Sequence, residues 1–206
     1  MGQDQHLENL AEIKNLMNAS SKFISLSGMS GVFAGIYALL GAYAAYDVVF
    51  DVTENFQFTR AKYVSVNDAY FLIFDLALVA LLSIVTGVFL SIRKAKKSGS
   101  PVWNTTSKRL VINFAIPLIV GGLFIAINMF KNDLSNSASL MLLFYGLSLI
   151  NGSKYTVSHI RILGFINIGI GLLCAILPSY SFWFWVLGFG IMHIVYGFYM
   201  HLKLEK

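Results

Sequence analysis

The stretch AYFLIFDLALVALLSIVTGVFLSI, residues 69–92, holds a single ionisable side chain, Asp75, and runs straight into Arg93, Lys94, Lys96 and Lys97. Its length meets the roughly 20 apolar residues that cross a ~30 Å hydrocarbon layer. Its basic flank marks the end held on the cytoplasmic side. Five further apolar stretches repeat the pattern at residues 23–49, 110–130, 137–153, 160–178 and 181–202, of which 137–153 is the shortest. The expected fold is therefore all-α, a polytopic membrane helix bundle with six transmembrane helices in one domain, residues 23–206.

Charge orders the loops. Of the 15 Lys and Arg residues, only Arg60, Lys62 and Lys131 fall on the side opposite to the rest, so both termini are expected in the cytoplasm. Asp47, Asp51, Glu54, Asp68 and Asp133 then all fall outside, although no acid entered the count. The apolar fraction of 57% and the charged fraction of 12% lie respectively above and below the values of soluble domains. The net charge of +5 gathers in Arg93, Lys94, Lys96, Lys97, Lys108 and Arg109, beside two helices and with no recognition motif. Anionic lipid headgroups, not nucleic acid, are the partner this cluster suits.

Outside the spans, Leu7, Leu10, Ala11, Ile13, Leu16 and Met17 recur at helical spacing. Residues 1–22 are thus expected to carry a cytoplasmic amphipathic helix. Its polar face bears Glu8, Glu12 and Lys14, which favours packing on the bundle or on a protein partner over a lipid surface. The first span reads as a retained anchor, because its apolar run exceeds that of a cleaved signal. Phe56, Phe58 and Tyr63 make the following outer segment an interfacial aromatic loop. The sequons at Asn18, Asn104 and Asn151 all fall inside and are read as chance matches.

Small residues mark where helices meet. Gly31 and Gly35 lie in a stripe on the first span, Gly164 and Gly171 flank Asn167 on the fifth, and Gly190 and Gly197 flank His193 on the sixth. Such stripes let backbones approach closely, within one chain or between copies in a homo-oligomer. Pro117 in the third span lacks an N–H and pushes against the carbonyl of Asn113, so a kink is expected there.

Asp75 and His193 are the ionisable groups deep in the predicted hydrocarbon, and together with Asn113, Asn167 and Tyr145 they make up the candidate intramembrane polar site. Their depths differ by roughly 9 Å at about 1.5 Å per residue, so a hydroxyl such as Tyr43 or Tyr145 is needed to link the two. No lysine lies deep in a span for a Schiff base, and a lone mid-membrane histidine does not supply paired haem ligation. No His-Glu-x-x-His, Gly-x-Ser-x-Gly, Walker or Cys-x-x-Cys segment occurs, and Cys174 stands alone. No catalytic residue, cofactor or metal is assigned.

The segments FAIPLIVGGLFIAI, LMLLFYGLSLINGSKYT and HIRILGFINIGIGLLCAILPSYSFWFWVLGFGIMHIVYGFYMHLK, with the opening SSKFISLSGMSGVFAGIYALLGAYAAY, resemble an uncharacterised bacterial family of six-span membrane proteins. The resemblance implies a multi-pass protein of the inner membrane and assigns no activity. The last hairpin, around Pro178, is more distantly similar to hairpins of the acid-resistance membrane protein family. Two functions are expected from the residues. The first is a non-enzymatic protein acting through a partner or the membrane. The alternative is a small proton, ion or solute transporter or channel using Asp75 and His193.

Overall fold

The computed structural model describes residues 27–50, 66–99, 101–131 and 136–204. Among these, the chain is helical and holds no strand: α1 is Gly28–Val49, α2 Val66–Lys97, α3 Thr105–Phe130, α4 Ser137–Gly152 and α5 Ile160–Ile176. The last helix, α6, covers residues 181–204, with a π-helical segment Val186–Ile191 between α-helical Ser181–Trp185 and Met192–Leu204. The amphipathic helix expected in residues 1–22 and the aromatic loop at Phe56, Phe58 and Tyr63 lie outside the described residues. Among the described residues, four helices are long and apolar enough to cross a membrane: α1, α2, α3 and the final one. α4 and α5, at 16 and 17 residues, are shorter.

Local chemistry sets the ends. α2 continues through Arg93–Lys97, where cations oppose the negative end of the helix dipole, and stops at Gly99, which takes φ 66°. α3 begins at Thr105, five residues before the apolar run. There Asn104 Oδ1 accepts from the Ser107 N–H at 2.7 Å, and Ser107 Oγ accepts from the Asn104 N–H at 2.8 Å. α5 ends at Ile176, because Leu177 precedes Pro178 and is pushed out of the helical region to φ −121°, ψ 65°. Pro178 then opens a single 3₁₀ turn into α6.

Two antiparallel pairs form the centre, α1 with α6 and α4 with α5. In both, glycine puts backbone against backbone. A Cβ added at Gly35 would lie 2.6 Å from the Gly190 carbonyl, and one at Gly197 2.7 Å from the Gly28 carbonyl. In the other pair, a Cβ at Gly146 would lie 2.7 Å from the Gly164 carbonyl, and one at Gly164 2.8 Å from that of Gly146. Seven residues further along, Ser139 Oγ donates to the Gly171 carbonyl at 3.0 Å. The contacts thus recur every seventh residue, the period that keeps two helices in register around each other. Gly31 meets the same partner helix, with Gly197 Cα 3.2 Å from where its Cβ would be.

α2 packs chiefly on α1, and α3 chiefly on α4. Their outer faces expose large apolar side chains, among them Phe74, Leu81, Ile84 and Phe89 on α2 and Ile112, Ile119 and Leu123 on α3. Apolar surface on this scale has hydrocarbon, not water, as its natural solvent. The antiparallel order gathers Arg93, Lys94, Lys96, Lys97, Lys108, Arg109, Lys154, Arg161 and Lys203 at one end, and Asp47 and Asp68 at the other. Aromatic rings mark both ends. Tyr46, Phe50, Phe182 and Trp183 cluster at the acidic end, while Lys108, Arg161 and Lys203 lie 5.9, 5.5 and 5.3 Å from the rings of Trp103, Phe165 and Tyr199. That girdle is the pattern of the two membrane–water boundaries.

Filling a backbone contact must push two helices apart, at a cost of about 1–3 kcal/mol or more. Gly35→Leu is therefore expected to lower the thermal midpoint in detergent or to abolish folded protein. Gly169→Leu, at a site with nothing within 4 Å, should leave the midpoint close to wild type. Equal midpoints would remove Gly35 from the interface.

Candidate functional site

The π-helical turn creates the central polar feature. The Met192 N–H bonds to the carbonyl of Leu187, five residues back, so the Gly188 carbonyl loses its ordinary α-helical partner. The His193 ring takes that place, with Nδ1 2.8 Å from the Gly188 oxygen. A carbonyl only accepts, so Nδ1 carries the proton, and Nε2 is left to accept from the Tyr145 hydroxyl at 2.7 Å. Phe189 stacks on the imidazole at 15° with centroids 6.0 Å apart, and Phe114 meets the Tyr145 ring edge-on. His193 is buried, and the relay Tyr145, His193, Gly188 ties α4 to α6.

Asn167 sits fully buried on α5 and donates to the Leu163 carbonyl at 3.0 Å. Its Oδ1 has no hydrogen-bond partner among the described residues. That oxygen lies 2.9 Å from where a Gly188 Cβ would be, with Leu142 closer still. Glycine at 188 thus makes room for both the amide and the turn, and brings Asn167 beside the relay.

Pro117 lies inside α3. The Asn113 carbonyl, denied the N–H of residue 117, accepts from Asn151 Nδ2 at 2.8 Å, while Asn113 Nδ2 donates to the Arg109 carbonyl at 2.8 Å. α3 and α4 are further locked where Gly121 receives the ring of Phe144. Asn151, a chance sequon by sequence, is a structural donor. The missing Pro117 N–H signalled that some donor was required, without saying which helix would supply it.

Asp75 stands apart. Its carboxylate packs against Gly41 of α1, with oxygens 3.0 and 3.2 Å from where a Cβ would be, and no described residue donates to it. The His193 carbonyl meets α1 at Gly31, ten residues away and so roughly 15 Å along the axis at 1.5 Å per residue. Tyr43 is 83% exposed and bridges neither. The five expected polar residues therefore divide into Tyr145, His193 and Asn167 around Gly188, Asn113 beneath Pro117, and Asp75 alone. Gly188, Gly146 and Asn151 join them, having gone unremarked as site residues in the sequence. Among the described residues, no three His, Cys, Asp or Glu side chains converge as metal ligands.

No family model, curated protein or solved structure matches this chain.

The Pro117–Asn151 relation is open to a double-mutant cycle. Asn151→Ala leaves the part-buried Asn113 carbonyl without its donor and should cost about 1 kcal/mol. Pro117→Ala returns an N–H to the Asn113 carbonyl, so the same Asn151→Ala change made on that background should cost less than half as much. Additive losses in thermal or denaturant unfolding would mean that Asn151 does not stand in for the missing N–H.

Proposed function

We propose that the chain is a multi-pass protein of the bacterial inner (cytoplasmic) membrane, with six spans and both termini inside, that works without catalysis through a protein partner or the membrane itself. The observation that carries this reading is the division of surfaces. Tyr145, His193, Asn113 and Asn151 spend their polar atoms on one another and on backbone carbonyls. α2 and α3 meanwhile each hold to one main neighbour and turn broad apolar faces outward. Such faces suit lipid or another membrane helix.

Six spans are supported by the antiparallel packing of α4 on α5 and of α4 on the long helix α3. At about 1.5 Å per residue α4 and α5 run to roughly 24–26 Å. Local bilayer thinning and interfacial anchoring absorb the shortfall. The charge order along the chain supports cytoplasmic termini.

One observation favours the transport alternative: Asp75 is a buried carboxylate with no donor among the described residues, in a region where such a group marks a site by default. His193 gives that alternative less support, because both ring nitrogens are already engaged.

Two measurements check these readings. Topology reporters placed after Lys206 and near Gly99 should read cytoplasmic, and one near Glu54 external; an external reading at Gly99 would overturn the map. Protein reconstituted in liposomes should pass no proton, ion or solute across a pH gradient. A flux that Asp75→Asn abolishes, with unfolding unchanged, would replace the first reading by the second.

A further inference from the structure

A groove runs between α5 and α6 on the outer face of the bundle. Ile162 and Ile166 on α5 and Met192, Val195 and Tyr199 on α6 line a cleft of about 260 Å³. From Met192 to Tyr199 the wall rises roughly 10 Å at 1.5 Å per residue, parallel to the helix axes. Its lining is hydrocarbon and ring, the surface against which an alkyl chain packs.

The two ends of the groove differ. One lies at the level of Met192, beside the π-helical segment in the middle of α6. The other lies at Tyr199, whose hydroxyl accepts from Lys203 Nζ at 2.8 Å and whose ring meets His159 edge-on at 5.9 Å. A cation and a phenol thus stand at the mouth, one helical turn apart. The mouth opens at the end of the bundle where the cations collect. Among the described residues the acids are Asp47, Asp68 and Asp75, at the other end or within the bundle. An apolar slot roughly 10 Å long, opening beneath a cation at an end where the described residues carry cations and no acid, has the order of a phospholipid: chain below, phosphate above.

We propose that this groove binds an anionic phospholipid, with one acyl chain between Ile166 and Val195 and its phosphate at Lys203 and Tyr199. The inference rests on the bilayer reading above and names the part of the membrane on which this chain acts. It is distinct from the general attraction of headgroups to Arg93, Lys94, Lys96, Lys97, Lys108 and Arg109, which needs no groove.

The test uses the full chain, extracted from membranes in mild detergent and examined by native mass spectrometry with dioleoyl phosphatidylglycerol or dioleoyl phosphatidylcholine added. Phosphatidylglycerol adducts should exceed phosphatidylcholine adducts by about fivefold or more. Val195→Trp, and independently Ile166→Trp from the facing wall, should remove most of both. Lys203→Gln should bring the two lipids level, and Ile84→Trp on the exposed face of α2 should change nothing. Thermal unfolding of each variant shows that it is folded. Equal adducts of the two lipids on wild type, wild-type binding by both folded groove variants, or displacement of phosphatidylglycerol by glycerol phosphate alone would each overturn the site. A chain recovered in the soluble fraction would overturn the bilayer reading itself, whereas a membrane-bound chain without lipid preference would overturn only the groove.

Discussion

A carbonyl set free inside hydrocarbon has no water to turn to, and the bundle is arranged around two such carbonyls. Pro117 frees that of Asn113 in α3, and the π-helical turn frees that of Gly188 in α6. Each is met by a side-chain donor: Asn151 across the interface from α4, and His193 from α6 itself, steadied by Tyr145 of α4. Both repairs therefore run through α4. The shortest helix becomes the one that holds α3, α5 and α6 together. Loss of either irregularity would remove the reason for the polar side chain that answers it. The polar interior is thus first of all a consequence of backbone chemistry.

Close approach supplies the rest of the cohesion. Lipid tails are as apolar as leucine, so helices gain little from burying leucine against each other and more from fitting backbones together. The pairs Gly28 and Gly35 with Gly197 and Gly190, and Ser139 and Gly146 with Gly171 and Gly164, show one solution used twice. In each, the bulky residue four positions on, Ile194 against Gly35 or Ile168 against Gly146, packs over the glycine it faces. α2 and α3 lack a reciprocal ladder of this kind and sit at the periphery.

The helical class, the approximate limits of the six stretches and the segregation of charge were legible in the sequence, because length, hydropathy and the positions of Lys and Arg are local properties. The glycine stripe was legible as a stripe but not in its period. Gly31 and Gly35 both face α6, and Gly28, seven residues before Gly35, adds the carbonyl contact to Gly197 that the four-residue spacing alone did not point to. Gly146 escaped notice because it stands alone among large residues and acquires meaning only opposite Gly164. The early start of α3 was written in Asn104 and Ser107, a capping pair that the sequon reading obscured. Which polar residues meet was not legible. Depth along the axis separated Asp75 from His193, but the rotation that turns His193 to Tyr145 depends on the π-helical turn, which no local pattern announced.

These constraints bear on where function can lie. A histidine with both nitrogens bonded and an asparagine whose amide N–H is spent on the Asn113 carbonyl have little left to offer a passing ion, so the polar centre is better understood as a clasp than as a path. Asp75 differs in kind, since Gly41 gives it room and nothing described gives it a proton donor. It sits between α1 and the peripheral α2, where a modest shift of one helix would change its surroundings without disturbing either glycine-paired core. On the proposed reading the outer helices and the α5–α6 groove are the surfaces left for a lipid or a partner, because the polar groups of the clasp are engaged with one another.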